Sequence, residues 1–399
     1  MNILVINAGS SSLKFQLIDM ENERARISGG CLRIGLEGST FEAKLPDGQE
    51  IERSLPMKDH AEAFLAVKNA LTTGETRVIG SLEEINAVGH RVVQGGQKLQ
   101  RSVRITDEVL REIEGLAELA PLHNPAHVLA IRACRAVFGQ ALPQAAVFDT
   151  AFHSTMPPEA YMFPLPYEYY EKYSIRRYGF HGTSHKFVSA RCAEVMGRPL
   201  SELKLITCHL GNGSSITAVK YGQSVDTSMG LTPLDGFMMG TRCGGVDPSA
   251  VLYLMEKEGW TPARAAEVLN KRSGALGVSG ISSDDRDVKA AALAGDERAL
   301  LSRAIHRYQV RKFIGAYAAA MDGVDAIVFT GGIGENTFDL RAHVCKNLTY
   351  LGVTFDDEAN LRYVRGAEGE ISGADSKVKV FVLPTNEELV IARETKGLC

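Results

Sequence analysis

Apolar and polar positions alternate in short blocks along the first half of the chain. LVIN, KFQLI, EINAVGH and QAAVF read as strands, and between them HAEAFLAVKNAL and HVLAIRACRAVF repeat their apolar residues at helical spacing. The other half carries a second set. KLITCHL, SSITAVK and AIVFT read as strands, and PSAVLYLMEKEG and RALLSRAIHRYQVRKFIGAYAAAM as helices, the last long enough to span a domain. Strands alternating with helices predict an α/β architecture. A length of 399 residues exceeds one ordinary core, so two lobes with a cleft are expected.

The two halves share a plan. VINAGSSSLKFQL (5–17) and TCHLGNGSSITAV (207–219) are each a strand, a Gly/Ser turn and a strand, one residue different in turn length. Small turn residues let backbone N–H groups and hydroxyls come close to a phosphate. Gly/Ser turns are also the commonest hairpin chemistry, and one alone would carry no meaning. Repetition is what predicts a duplicated domain with one phosphate-gripping hairpin in each half. A third glycine element, AIVFTGGIGENTFDLRAHV (326–344), passes from an apolar strand through Gly331, Gly332 and Gly334 into a helix, whose free N–H groups and positive end suit an anion or a nucleotide. Thr337 stands where the dinucleotide fingerprint needs its third glycine, and neither a Walker A run nor a protein-kinase H-R-D and D-F-G pair occurs. A nucleotide phosphotransferase here must use another architecture.

Charge and composition narrow the partners. A formal net charge of −4 and an isoelectric point near 6.2 give no long-range field to gather nucleic acid or an acidic membrane, so the substrate is expected to be small. The densest basic stretch, Lys172 to Lys186, includes Arg176, Arg177, His181 and His185, a pattern that is ordinarily a solvated face. No apolar run approaches the roughly 20 residues of a membrane span. MNILVIN enters a strand at once, without the features of a signal peptide, which predicts a cytoplasmic location. Seven scattered cysteines without a C-x-x-C pair predict reduced thiols, several of them buried. His123 and His127 are spaced like a metal pair but lack a third ligand at zinc spacing.

ILVINAGSSSLK (3–14) resembles the N-terminal signature of the acetate kinase family, and RYGFHGTSHKFV (177–188) resembles its second. Further matches spread the resemblance over nearly the whole length: GHRVVQGG (89–96), LHNP (122–125), FDTAFH (148–153), HLGNGSS (209–215), MGTRCGGVDP (239–248), SDDRD (283–287), FTGGIGEN (329–336) and PTNEE (384–388). The resemblance implies the fold of the acetate and sugar kinase, heat-shock chaperone and actin superfamily: two domains of duplicated actin-like (ribonuclease H-like) sheet and helix units with a nucleotide cleft. Residues 1–150 plus 385–399 would form the N-terminal domain with the first phosphate hairpin. Residues 151–384 would form the C-terminal domain with the second hairpin, the adenosine site and the dimer interface. The implied activity is reversible, in-line transfer of the γ-phosphoryl group of ATP to acetate, giving acetyl phosphate and ADP. Mg²⁺, or Mn²⁺ in its place, would assist, and the enzyme would be a cytoplasmic homodimer that engages neither nucleic acid nor membrane.

Acetate is a poor, already anionic nucleophile, so its attack on a polyanionic phosphate needs positive charge and positioning. The resemblance implies Arg91 for the acetate carboxylate and Arg242 for the transferring phosphoryl group, a planar bidentate donor at each. Either arginine alone would pass for a surface ion-pair partner. His181 is implied as an electrostatic stabiliser rather than a base or phosphate acceptor, with Thr183 and Ser184 able to cap the helix beginning there. A histidine satisfied by a backbone carbonyl is the plainer alternative. His123 is a weaker candidate for positioning acetate or the transition state. Asp149 closes QAAVFD at a strand's carboxyl end; the resemblance implies a role near the metal and the reacting phosphoryl group, orienting Mg²⁺ or its waters with Arg91 as charge partner, and a cap on the next turn is the plainer alternative.

Asn7 and Glu387 match the family's metal positions, in keeping with the few hard oxygen ligands Mg²⁺ takes beside ATP. Ser10, Ser12 and Lys14 line the first hairpin and should meet the phosphates. His209, Leu210, Gly211, Asn212 and Gly213 of the second hairpin match ATP contacts, as do Gly332, Ile333, Gly334, Glu335 and Asn336; Asp284, Asp285 and Arg286 flank the adenosine. Val93, Leu122, Phe180 and Pro233 match the pocket for the methyl group. One methylene is worth only about 1–3 kcal/mol of discrimination, so propionate should be a slower substrate rather than an excluded one. A propionate or butyrate kinase is the nearest alternative, against which Val93 leans. A chaperone or filament module of the same superfamily would need no two arginines and a histidine beside the γ-phosphate. A sugar kinase would want more carboxylates and amides than this set holds.

Overall fold

The computed structural model describes residues 1–121 and 123–399. Leu122 lies outside the described residues. In chain order the first strands are β1 (Asn2–Ala8), β2 (Ser12–Asp19), β3 (Arg24–Leu32), β4 (Thr40–Lys44) and β5 (Glu50–Ser54), followed by α1 (His60–Thr72), β6 (Ile85–Val92), β7 (Val103–Arg104), α2 (Asp107–Gly115), α3 (Asn124–Phe138) and β8 (Gln144–Phe148). Then come α4 (Pro158–Tyr161), α5 (Tyr167–Tyr173), α6 (Gly182–Met196), β9 (Lys204–Leu210), β10 (Ser214–Lys220), β11 (Gln223–Thr227), α7 (Pro248–Glu258), α8 (Pro262–Lys271), α9 (Gly274–Ser279), α10 (Asp285–Leu293) and α11 (Glu297–Met321). The chain closes with β12 (Ala326–Thr330), α12 (Gly331–Asn336), α13 (Phe338–Cys345), α14 (Asp357–Arg362), β13 (Gly369–Glu370), β14 (Lys379–Val382) and α15 (Glu387–Leu398). These elements gather into two compact units, Met1–Phe152 with Asn386–Cys399, and His153–Thr385.

Unit 1 holds an eight-stranded sheet in the order β5-β4-β3-β2-β1-β6-β8-β7, and unit 2 a six-stranded sheet in the order β11-β10-β9-β12-β14-β13. Within them one arrangement occurs twice. An antiparallel hairpin, β1–β2 or β9–β10, is extended by an antiparallel strand, β3 or β11, and on its other side the first hairpin strand pairs with a parallel strand, β6 or β12, which pairs in turn with a second parallel strand, β8 or β14. The hairpins differ by one residue in the closing pair: Ala8 faces Leu13, whereas Leu210 faces Ser214. This is the duplicated α/β plan that the repeated Gly/Ser hairpin predicts.

Burial explains the pattern. The parallel strands are covered on both faces, so β8 and β12 are buried at every position and read as continuous apolar runs. The 25-residue α11 starts with Asp296, whose side chain accepts from Ala299 N, and turns Val310, Ile314, Tyr317, Ala318 and Met321 into the core of unit 2. Strands β3 to β5 are not among the runs predicted from sequence. They lie toward one side of the sheet, and β5, its edge strand, is rich in charge and exposed at four of its five positions. All seven cysteines are free, five of them buried. Among the described residues no helix is long and apolar enough to cross a membrane.

Candidate active site

In unit 1 three parallel neighbours, β1, β6 and β8, end side by side. Register pairs Ile6 with His90 and Val92 with Phe148, and Asp149 N donates to Val92 O, so Asn7, Arg91 and Asp149 come together at the carboxyl ends. Arg91 donates from Nε to Asp149 Oδ1 at 2.8 Å and from Nη2 to Oδ2 at 2.6 Å. Its Nη1 reaches Asn7 Oδ1 at 3.4 Å. Asp149 is 1% exposed and Arg91 22%, so this is a largely buried, two-pronged ion pair. Burial works against the guanidinium's charge, but Asp149, and then Glu387 and Glu388, outweigh it and raise the Arg91 pKa above its ordinary value.

Glu387 opens α15 behind Asn386, whose side chain accepts from Leu389 N. The oxygens of Asn7, Asp149 and Glu387 are hard donors of the kind Mg²⁺ takes. Among the described residues no group of three or more His, Cys, Asp or Glu is placed to hold a metal ion. Lys14 is exposed and faces Asn7 across the β1–β2 hairpin, and the two line a cavity of about 200 Å³ with Glu388. Ser10 is exposed and Ser12 half-buried on the same turn. His123 is half-buried at the N-terminus of α3, and Val93 is buried. His127 sits in the interior, where burial first and the Arg91 charge second push its pKa down to about 3.

In unit 2, His181 occupies the cap position of α6 with φ +57°, in the left-handed region. Thr183 and Ser184 therefore lie inside the helix rather than at its cap, a correction to the sequence reading: the helix begins at Gly182 and the cap position falls on His181, two residues before Thr183. His181 Nδ1 is 2.9 Å from Ser215 Oγ, and the ring stacks on His209 with centroids 4.2 Å apart. Ser184 Oγ lies 2.8 Å from His209 Nδ1. Behind this pair, His185 bridges Ser215 Oγ (Nε2, 2.8 Å) and Thr207 Oγ1 (Nδ1, 2.7 Å). Burial, then the neighbouring His153 and His209, hold the His185 pKa well below its ordinary value. His185, Ser215 and Thr207 were not singled out from sequence. The available signals were His181 and His185 spaced to share a helix face, and the polar Thr207 and His209 alternating in a strand that is otherwise apolar.

Arg242 packs against the second hairpin. A Cβ added to Gly213 would stand 3.3 Å from its Nη1. That nitrogen donates to Pro233 O at 3.0 Å, and among the described residues no carboxylate pairs with the guanidinium. Burial lowers its pKa, with nothing offsetting it. A half-buried guanidinium set on a glycine hairpin, with no carboxylate partner among the described residues, has the chemistry to receive an anion.

Beside it, Gly211, Asn212, Asp284, Asp285, Arg286, Gly332, Ile333 and Asn336 line a cavity of about 640 Å³. It adjoins an apolar slot bounded by Met238, Met239, Val288 and Leu340. Two expectations change in detail. Gly331 N donates to Glu335 Oε1 at 2.9 Å, so Glu335 itself occupies the N-terminus of α12, which at six residues supplies little dipole for a phosphate. Asp284 caps α10 and holds Arg286, and Asp285 is bonded by Arg303 and Thr337, so both carboxylates shape the wall through internal bonds. Phe180 is buried and Pro233 half-buried in unit 2, whereas Val93 belongs to unit 1.

The sequence profile of the Acetokinase family matches residues 2–393. The chain belongs to the acetokinase family. It is 55% identical over 398 residues to the acetate kinase of Carboxydothermus hydrogenoformans, covering 100% of this chain and 99% of that protein. It is likewise 55% identical to the acetate kinase of Thermotoga maritima over 400 residues, 100% of this chain and 98% of that one. Among solved structures, acetate kinase from Porphyromonas gingivalis superposes with a TM-score of 0.95 at 45% identity, covering 100% and 99% of the two chains. A propionate kinase from Francisella tularensis gives 0.93 at 42% identity, with full coverage of both. The duplicated, actin-like α/β plan of this chain is the acetokinase fold.

Proposed function

We propose that this chain is an ATP-dependent acetate kinase that transfers the γ-phosphoryl group reversibly and in line to acetate, giving acetyl phosphate and ADP. Among the structural observations, the one that carries the reading is Arg242, a half-buried guanidinium with no carboxylate partner among the described residues, lying against Gly213 of the second hairpin. The relatives at 55% identity over their whole length that are named acetate kinase support the choice of acceptor.

Each group has a task in this reading. Arg91, fixed by Asp149, offers its Nη1 edge to the acetate carboxylate. Arg242 meets the equatorial oxygens of the phosphoryl group as it flattens, and its charge counts most when that charge develops. His181 donates to the same group without exchanging a proton. Asn7 and Glu387, with Asp149 nearby, would hold Mg²⁺, which supplies neutralisation of phosphate charge when bound. The hairpin residues Ser10, Ser12 and Lys14 steady the phosphates. The cavity around Asn212, Asp284 and Gly332 takes the adenosine, its apolar slot suiting a flat base. Val93, Phe180 and Pro233 bound the methyl group. A homodimer formed through unit 2 and a cytoplasmic location complete the reading. A propionate kinase is the second reading, favoured by the Francisella tularensis structure.

Incubating the protein with ATP and acetate, propionate or butyrate, and trapping the acyl phosphate as its hydroxamate, distinguishes these. Acetate should have the highest kcat/KM and propionate a lower one. A preference for propionate selects the second reading, and no acyl phosphate from any carboxylate rejects both.

A further inference from the structure

We propose that Thr207, His185 and Ser215 form a one-way hydrogen-bond relay that fixes His181 in the tautomer with its proton on Nε2, making it an uncharged donor. The inference rests on the proposed function for its kinetic consequence alone; the proton placement follows from the resting protein.

The argument is an accounting of buried protons. Thr207 is completely buried, and among the described residues the one bond of its hydroxyl is to His185 Nδ1 at 2.7 Å. A buried hydroxyl proton left without an acceptor keeps its full desolvation penalty, so Thr207 donates and His185 Nδ1 accepts. His185 is completely buried and held neutral, so it has one ring proton, which must then sit on Nε2. Nε2 lies 2.8 Å from Ser215 Oγ and donates to it. Ser215 is also completely buried, and with that bond accepted its own proton has one remaining acceptor, His181 Nδ1 at 2.9 Å. His181 Nδ1 is therefore an acceptor, and its ring proton is on Nε2. Reversing the chain would leave the Thr207 hydroxyl proton without a partner among the described residues, since its hydroxyl is bonded there to His185 Nδ1.

A second link runs parallel. Ser184, also fully buried, has His209 Nδ1 as its hydroxyl partner at 2.8 Å, so the ring stacked on His181 accepts at the same atom. The two stacked imidazoles thus share one polarity. The left-handed cap conformation of His181, which a non-glycine residue adopts at a cost, places its ring in reach of Ser215. A donor whose tautomer is set beforehand has no reorganisation left to do as phosphoryl charge develops. Thr207, His185 and Ser215 act through His181 and are positioning residues.

The test reads the proton directly. In ¹⁵N-histidine-labelled, ligand-free protein, with His181 assigned by comparison with His181→Gln, long-range ¹H–¹⁵N correlation should show a protonated Nε2 and an unprotonated Nδ1. Thr207→Val, nearly isosteric, removes the donor at the base of the relay. It should give a mixed His181 tautomer and a kcat lower by about tenfold, the order of one misdirected transition-state hydrogen bond, with the KM for ATP and acetate within about twofold. Thr207→Ser should restore both signals. Ser215→Ala should lose the His181 signature even if Thr207→Val proves too unstable to purify. A wild-type spectrum with the proton on Nδ1 overturns the relay, as does Thr207→Val with unchanged tautomer and kcat. A wild-type protein inactive with every carboxylate, yet showing the Nε2 proton, rejects the proposed function and leaves the relay standing.

Discussion

Arg91 grips Asp149 with two near-parallel hydrogen bonds, Nε to Oδ1 at 2.8 Å and Nη2 to Oδ2 at 2.6 Å, leaving its Nη1 edge toward Asn7. The pair spans the ends of two adjacent parallel strands, so either partner's loss strands a charge. Arg91→Ala should raise the KM for acetate as well as lower kcat, because the arginine serves ground and transition states alike. It should also destabilise the fold by about 3–5 kcal/mol, the order seen when one member of a buried pair is removed. Steady-state kinetics and denaturant unfolding check both. An unchanged KM for acetate would remove Arg91 from the acceptor site.

Arg242→Ala should act on kcat more than on either KM. Loss of a phosphoryl-transfer arginine costs on the order of 10³-fold, about 4 kcal/mol. Lysine at this position should recover only part, since it lacks the planar fork. Free guanidinium should partly rescue the alanine variant, whose hole beside Gly213 has the right shape and charge. Near-normal kcat in Arg242→Ala would sink the role, and a kinetically competent phosphoenzyme would replace direct transfer with a two-step route.

Chelation of divalent cations should abolish turnover, with Mg²⁺ or Mn²⁺ restoring it. Asn7→Ala and Glu387→Ala should raise the Mg²⁺ concentration needed for half-maximal rate, by about tenfold or more if each supplies a ligand. Titrating activity against free Mg²⁺ measures this, and full activity in excess chelator refutes it.

Gly331 has φ +78°, and a Cβ there would come within 2.7 Å of Leu210 O. Gly331→Ala should therefore destabilise unit 2 by about 2 kcal/mol or more, through left-handed strain and a backbone clash. Gly332, next in sequence, has open space where a Cβ would go, and Gly332→Ala should stay within about 0.5 kcal/mol. Paired thermal melts decide whether the two differ.

Stability should fall as pH drops from about 6.5 to 4. Burial pushes the pKa of His90, His153 and His306 down to about 4 in the folded chain. The unfolded histidines, with pKa about 6.5, take up protons first, so the stabilisation is complete above that value and drains away as pH approaches the folded one. Each should contribute a loss of about 2 kcal/mol at pH 5. Urea midpoints at pH 7.5, 6 and 5 should step downward; a flat series would mean that these rings are not held neutral.

Local chemistry is what the sequence determines by itself. The short, largely apolar runs at 204–210, 214–220 and 326–330 are strands at those residues, and the repeated Gly/Ser hairpin foretells the duplicated sheet, because turn geometry and local apolar content act within a few residues. The signature runs around Asn7, His181, Arg242 and Gly332 point to the family for the same reason: close approach to a phosphate demands particular residue types at particular spacings. Tertiary structure decides whatever depends on residues far apart in the chain. Asp149 meets Arg91 across 58 positions, and Ser215 meets His181 across 34. Strands β3 to β5 are set by pairing outward from β2, one on the next, and no local apolar pattern announces that. Glu335 takes the helix N–H that looked open to an anion, and Arg242 lacks a counter-charge, only once side chains have packed. Burial and hydrogen-bond satisfaction are sums over every neighbour in space, and a linear pattern specifies only the neighbours along the chain.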